Sequence, residues 1–563
     1  MSYVIELFRN PIFAIFASMA LGHLVGKLRV GPVVLGSTCG TLFMALLIGQ
    51  LHISVSADLK NTAFALFIFA LGFSAGPQFF VNIRSGWRYG IFSVIEVVTV
   101  LALVAGATVL FHFDPGTSAG LFAGAATESA VLGTASDALQ NSGLTAAEIN
   151  QLEANLATAY SVTYIFGLVS IIVFVTQIAP LILRIDVKEE ASKLMAKLGA
   201  DDEEFEPGLP PLVGRAFLAG SLGGSTVGDF ENSRGNVVAI ERIQRGEQVI
   251  EAEADTPIED GDVLFVIGRR NAVIAAQSIF GDEVPLPASS NVPMSPVQVV
   301  LTRKDASGLS VKQLRHAASK SRHRGVFISE IRRLNHSIPV LSGTKLQHGD
   351  VITLYGTEAA TTRASRELGH LLPVTNTTDL LFMGAGIVAG LFIGSLSYKS
   401  GALDLTLGTG GGALISGLIF GWLNMNFPMR GTIPVPAAEF MKDFGLSAFI
   451  ACVGLNAGPD AISLIARYGL DLPLLGVIVS VVPALVSLFV GWKLMKIEAP
   501  LLLGAIAGQH CSTPTITALV SQAQSTIPVI GYTVTYAISN VLLPLMGPVV
   551  VGVAMSLQQA PPG

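Results

Sequence analysis

Seven polar residues stand in a row inside an otherwise apolar stretch: Gln509, His510, Cys511, Ser512, Thr513, Pro514 and Thr515, at the centre of Leu503–Ala518. The hydroxyls of Ser512, Thr513 and Thr515 can hold a carboxylate or replace part of an ion's hydration shell. His510 titrates near physiological pH, so it can bind a carboxylate or carry a proton. The bland alternative is that these small residues only let helices pack closely, with a neutral histidine on a backbone partner. Pro514 has no amide to donate and disfavours helical backbone at Thr513. The sequence therefore predicts a helix that breaks here and restarts at Pro514. Irregular backbone at membrane depth survives only where it lines a cavity or is buried in protein. The positive end of the restarted helix suits an anionic ligand.

A partner stretch, Gly120–Ala135, repeats the pattern with differences. Aligning Gly124 with Gly508 sets Thr127-Glu128-Ser129-Ala130 against Cys511-Ser512-Thr513-Pro514. The first copy lacks the proline and gains a carboxylate. A carboxylate at membrane depth is costly and tends to be functional, so Glu128 is a candidate for a proton, Na⁺ or a substrate ammonium. The alternative is a position in water at the mouth of the segment. Glu96, mid-segment in Gly90–Phe111, is a further candidate with no cationic partner visible in sequence. No arginine or lysine stands deep in an apolar segment, so an anion would be held by amides, helix ends and hydroxyls. Tyr160, Tyr164, Tyr532 and Tyr536 recur at matched positions, as gates or as helix contacts. Ser74 and Asn456, each before Ala-Gly-Pro, are expected either to break their helices near the site or to pack. Gly408-Thr-Gly-Gly-Gly412 has no following lysine and reads as helix packing, not as a phosphate loop.

These residues are set in a chain of 563 residues, 51% hydrophobic and 13% charged, far below the roughly 25% charged residues of soluble domains. The bilayer is thus its expected environment. Net charge −6 gives no sign of nucleic-acid binding. Cys39, Cys452 and Cys511 form neither a disulfide framework nor a metal set, and no cofactor is expected. Apolar segments fall near 11–25, 32–51, 62–80, 89–111, 118–139 and 155–183, and again near 378–396, 404–423, 443–461, 472–493, 500–520 and 527–554. The segment 11–25 has the outline of a signal peptide, but the repeat below uses Gly22 and Gly26, so it is expected to stay.

The halves repeat each other. Gly22-x3-Gly26 matches Gly390-x3-Gly394, Leu71–Pro77 matches Val453–Pro459, and Tyr160–Tyr164 matches Tyr532–Tyr536. Paired repeats of this kind are typical of secondary transporters. If each fifth segment re-enters on its own side, five segments cross per half and the repeats are inverted. With the termini outside, ten flanking basic residues from Lys27 to Lys496 then lie inside, and only Arg9, Lys60, Lys399 and Arg467 outside. The expected fold is a polytopic α-helical membrane protein: two inverted repeats, each of five spanning helices plus a re-entrant hairpin or broken helix. Between them, Val238–Gly268 and Val326–Gly356 repeat at an offset of 88, each with a Gly-Asp turn before an apolar strand. Two small cytoplasmic α+β modules are expected there, with linkers at Asp201–Glu204 and Pro285–Pro296. The expected domains are 1–185, 186–286, 287–373 and 374–563. His316, His323, His336 and His348 are not at metal-binding spacing.

Two Ala-Gly-Pro repeats, the Ser/Thr-Pro segment and the ending GYTVTYAISNVLLPLMGPVVV resemble the aspartate:alanine exchanger family of bacteria. The middle modules resemble RCK-C (TrkA-C) ligand-binding modules. The resemblance implies an inner-membrane antiporter for small amino acids or dicarboxylates, a homodimer with a cytoplasmic regulatory ligand at the middle modules. Its first hairpin departs from the family's usual Ser/Thr-Pro pair. The competing reading is a Na⁺- or H⁺-coupled transporter, or a cation channel regulated by the modules, although no TVGYG-like filter is present. A membrane enzyme lacks any nucleophile–base or metal pattern.

Overall fold

The computed structural model describes residues 2–30, 33–34, 36–85, 87–200, 212–234, 238–285, 294–303, 305–314, 325–334, 336–371, 377–400, 403–426 and 433–559. The expected linker Asp201–Glu204, most of the linker 285–296, and His316, His323 and Arg430 lie outside them. The chain forms two units, residues 1–191 with 375–563, and residues 192–374 between them.

The first unit is helical. After a short helix, Ser2–Arg9, its first half comprises α1 (Pro11–Gly26), α2 (Ser37–Gly49), α3 (Ala57–Ser85), α4 (Trp87–Phe111), α5 (Pro115–Ala125), α6 (Ser129–Gln140) and α7 (Ala146–Val173). A π-helical turn, Phe174–Ile178, carries α7 on into Ala179–Leu183. The second half comprises α8 (Leu380–Ser395), α9 (Gly408–Asn426), α10 (Val435–Tyr468), α11 (Asp471–Phe489), α12 (Ala499–Gln509), α13 (Thr513–Ala523), α14 (Ile527–Leu542) and α15 (Met546–Gln559). Each of the twelve apolar segments thus contains a helix, and both fifth segments are split in two. Among the described residues four helices are long and apolar enough to cross a membrane, and α14 with α15, bent by 51°, makes a fifth. Starts follow the capping rules: Asn10 accepts from the Ile12 and Phe13 amides, and Asp379 from the Phe382 amide.

The halves use matching contacts. A Cβ on Gly40 would sit 2.0 Å from the Gly22 carbonyl oxygen, and one on Gly412 would sit 2.2 Å from that of Gly390. Only glycine lets α2 lie on α1, and α9 on α8, at that distance. The second helix of each half then crosses the third helix of the other, Gly49 on Leu455 and Gly421 on Phe73. Neither Ala-Gly-Pro segment breaks its helix. α3 runs through Ser74 and Pro77, and α10 through Asn456 and Pro459. Asn456 instead binds the loop residue Val55, accepting from its amide at 2.9 Å and donating to its carbonyl at 3.3 Å.

The second unit holds two sheets of one topology. The first contains β1 (Leu212–Leu218), β2 (Val238–Arg245), β3 (Gln248–Glu251), β4 (Val263–Arg269) and β5 (Glu283–Val284), in the order β3-β2-β4-β1-β5. The second contains β6 (Met294–Leu301), β7 (Phe327–Arg333), β8 (His336–Ile338), β9 (Val351–Thr357) and β10 (Gly369–Leu371), in the order β8-β7-β9-β6-β10. Alternation places Leu264 and Val266 in the first core, and a register shift between Ile240 and Arg242 brings Ile240 and Ile243 to the same face. The 88-residue repeat extends to a bidentate ion pair. Arg245 grips Asp262 at 2.9 and 2.8 Å, and Arg333 grips Asp350 at 2.7 and 2.7 Å. Each arginine also donates to the matching carbonyl, Pro257 or Lys345, and each aspartate accepts the amide of Glu259 or Gln347. The pairs tie the Gly-Asp turns, with Gly261 and Gly349 both at φ 88°, to the neighbouring strand.

Burial alone would raise Asp262, but the Arg245 side chain and the Glu259 amide outweigh it and hold the carboxyl below its ordinary range. Its contribution is complete at neutral pH and is lost as the pH falls below the usual aspartate range. The second pair is 1% and 0% exposed, the first 31% and 1%. Removing one partner of a buried pair costs about 3–5 kcal/mol. Arg333→Ala is therefore expected to cost more than Arg245→Ala. Hydrogen exchange in the full chain measures it, in β6, β7 and β9 for Arg333→Ala and in β1, β2 and β4 for Arg245→Ala, and an equal loss of protection in the two sheets would contradict the assignment.

Candidate functional site

Each fifth segment is a hairpin of two short helices. α5 runs alongside α7 in the same direction, with Gly116 at Leu152, Gly120 at Leu156 and Gly124 at Tyr160. α6 then returns from Ser129, beside Tyr160, to Ser136 and Gln140, beside Glu153. In the second half, Gly504 lies at Pro528 and Gly508 at Tyr532, and α13 returns from Thr513, beside Tyr532, to Gln522, beside Thr176. α7 thus passes from the base of the first hairpin, past both tips, to the base of the second. α14 and α15 make the reverse journey, ending with Gln558 donating to the Phe113 carbonyl at 3.1 Å. The hairpins therefore enter from opposite ends of the bundle and meet tip to tip, where the Thr127 hydroxyl donates to the His510 carbonyl.

The two tips have one geometry. Thr127 and Cys511 are left-handed, at φ 53° and 50°. The Thr127 amide reaches the Gly124 carbonyl and the Glu128 amide that of Ala123; Cys511 and Ser512 repeat this on Gly508 and Ala507. Glu128 then caps α6 by accepting from the Ala130 amide at 3.1 Å, and Ser512 caps α13 by accepting from the Thr515 amide at 3.4 Å. The second arm restarts at Thr513, one residue earlier than expected from Pro514. Proline fits the first helical turn because its missing amide is one that the turn leaves unpaired anyway. The first hairpin breaks at the same place without a proline, so the left-handed residue makes the break.

Most of the expected residues converge here. Ser129 and Tyr160 share a hydroxyl contact of 2.7 Å, and Thr513 and Tyr532 a matched one of 3.4 Å. Tyr164 and Tyr536 stand beside these rings, with centroids 5.3 and 5.0 Å apart. A Cβ on Gly124 would meet the Thr163 hydroxyl at 2.0 Å, and one on Gly508 that of Thr535 at 2.1 Å, so glycine is what brings each tip onto its tyrosine helix. Glu128 is buried at the tip, not in water at the mouth, beside the Cys511 thiol, and its Oε2 has no hydrogen-bond partner among the described residues. Gln509 and His510 face Glu96 and the Ser480 carbonyl. Thr515 is buried against Ser512, at 2.6 Å between hydroxyls. Ser74 and Asn456 make none of these contacts.

Sequence reasoning missed two features. Glu96 does have partners, but Gln509 and His510 are 413 and 414 residues away in the chain and nothing local announces the meeting. The other is Lys60, which is buried although it stands only at the edge of its apolar segment. It contacts both Glu153 oxygens, at 2.6 and 2.8 Å, and Ser136, while Gln140 donates to Glu153. This cluster clamps the base of the first hairpin. Asp137, one residue along, accepts from the Thr409 hydroxyl at 3.0 Å and so occupies the start of α9. The Gly408–Gly412 run is thus filled by packing, as expected. The hairpins differ in exposure: Ala130–Ser136 of α6 are buried, whereas α13 exposes Thr513, Thr517 and Ser521, one helical turn apart.

Comparisons with known proteins agree with this architecture. Residues 14–180 and 382–552 match the family described as the predicted permease membrane region of the Asp-Al exchangers. Residues 216–281 match the TrkA-C domain, which covers the first sheet; the second sheet repeats its strand order. An uncharacterized transporter of Zymomonas mobilis is 35% identical, with 96% of this chain and 97% of that protein covered. One of Bordetella parapertussis is 36% identical, with 98% of each covered, and one of Shewanella oneidensis is 33% identical, with 96% and 97% covered. No solved structure matches the chain. The chain therefore belongs to the aspartate:alanine exchanger family of permeases, as a multi-pass membrane transporter carrying a TrkA-C domain.

Proposed function

We propose that this protein is a secondary antiporter that exchanges small amino acids or dicarboxylates across the bacterial inner membrane by alternating access. The observation that carries the reading is the pair of matched hairpin tips meeting inside the bundle. The amino ends of α6 and α13 each bring a positive dipole end to the junction, capped by Glu128 on the first and by the neutral Ser512 on the second, and the second suits a carboxylate. Ser129, Thr513, Tyr160 and Tyr532 add hydroxyls beside them. Broken helices with such ends near the midplane are how secondary transporters hold charged substrates in a dry environment. In this reading the repeats are inverted, the termini lie outside and the central modules lie in the cytoplasm. A small ligand at the modules shifts the exchange equilibrium only as far as it binds the two states unequally. The chain works as a homodimer. Cation coupling is the second reading, favoured by the unpartnered oxygen of Glu128.

Counterflow in proteoliposomes tests the exchange. With aspartate, alanine or succinate loaded inside and no ion gradient, labelled aspartate is expected to enter only when an internal substrate is present. Uptake into empty vesicles, or none under any loading, contradicts it. Ser129→Ala and Thr513→Val are each expected to raise the half-saturation concentration about tenfold, since a hydrogen bond to a charged group is worth about 1.5–3 kcal/mol. Unchanged values would remove these hydroxyls from the site. In a cysteine-free background, cysteines at Gln140 and Gln524 are expected to label from opposite sides. Labelling of position 140 from the cytoplasm would overturn the topology.

A further inference from the structure

Glu96 lies in the middle of α4, fully buried, and meets the tip of the second hairpin. Gln509 Nε2 donates to Glu96 Oε2 at 2.8 Å, and His510 Nε2 lies 3.4 Å from Glu96 Oε1. The imidazole sits between two backbone carbonyls: Nε2 is 2.9 Å from Ser480 O of α11, and Nδ1 is 3.3 Å from Ile506 O of α12. A continuing helix would send the His510 amide to Ile506, but the ending helix turns it to Gly508. A carbonyl only accepts, so an imidazole that serves both carries two N–H groups and a positive charge. The Glu96 carboxylate balances that charge.

The same atoms allow a neutral form. With the proton on Glu96, its O–H donates to the Gln509 side-chain carbonyl once the amide is turned over, and His510 keeps one N–H for Ser480. Which way an amide points is settled by such networks. The proton thus has two seats. There is also room for a second proton, because Glu96 Oε1 and Gln509 Oε1 have no hydrogen-bond partner among the described residues.

We propose that Glu96, Gln509 and His510 form a proton-binding site that makes exchange at the hairpin tips proton-linked. The link to transport rests on the antiporter reading; the proton site does not. Glu96 belongs to a long helix, whereas Gln509 and His510 ride on the tip. Opening the tip parts the histidine from the carboxylate. A lone buried carboxylate is costly, so as the pair parts Glu96 takes a proton from the water that the opening admits, forming its O–H while His510 keeps both of its N–H groups, and it releases that proton to water when the pair reforms. The other titratable groups facing this site are Cys511 and, across the tip junction, Glu128, with Tyr532 and Tyr536 of α14 behind them. Lys60, the buried lysine of this unit, is committed to Glu153.

Two measurements on the full chain in lipid nanodiscs and proteoliposomes test this. Infrared difference spectra across a pH titration, with no substrate, are expected to show a protonated carboxyl band that Glu96→Gln removes. Counterflow is expected to change about tenfold across the same titration, and this profile is expected to flatten in both E96Q and H510Q. If E96Q does not fold, H510Q alone must flatten the profile and shift the carboxyl band. A wild-type pH profile in the variants, or a carboxyl band unaltered by them, overturns the proposal. Absent counterflow in the wild type, with the band lost in E96Q, overturns the transport reading and leaves the proton site standing.

Discussion

A helix that stops inside an apolar bundle leaves amides and carbonyls that no water can satisfy. That constraint governs the membrane unit. Thr127 and Cys511 turn the chain through the left-handed region, and the next amide folds back onto a carbonyl of the helix just ended. Glu128 and Ser512 cap the returning arm. The remaining His510 carbonyl is taken by Thr127 of the opposite hairpin. The second tip is therefore completed partly by the first. Polar side chains gather at the junction because satisfying the backbone has already made it the one place where they are cheap to hold.

The glycines set the distances on which this depends. Gly124 and Gly508 bring the first arms against the tyrosine helices, so that the phenol of Tyr160 reaches Ser129 and that of Tyr532 approaches Thr513. Farther out, Gly49 and Gly421 interlock the halves through the helices that bear the Ala-Gly-Pro segments. The central unit uses a different device, an arginine–aspartate fork in each sheet, fully buried in the second, repeated with its carbonyl and amide partners at a constant spacing.

Much of this was legible in the sequence because it is local or repeated. Segment lengths, the split fifth segments and the 88-residue repeat follow from apolar runs, Gly-Pro punctuation and self-similarity. The break at Gln509–Thr515 was legible for a partly wrong reason: proline marks the restart, while the left-handed Cys511 makes the turn. What stayed hidden is long-range. Glu96 looked unpartnered because its histidine lies in the other half of the chain. Lys60 looked like a flanking charge because burial at a segment edge depends on the helices that cover it. For Ser74 and Asn456 the sequence left helix breaking and packing open, because Ala-Gly-Pro resembles a helix breaker, and both helices continue through it.

The clamp at the base of the first hairpin joins three helices, through Lys60 of α3, Ser136 and Gln140 of α6 and Glu153 of α7. Parting Lys60 from Glu153 would strand two largely buried charges, a cost of several kcal/mol. Any movement of α6 away from α7 must break into that cluster, so the base of the hairpin is held by charge where its tip is held by backbone hydrogen bonds.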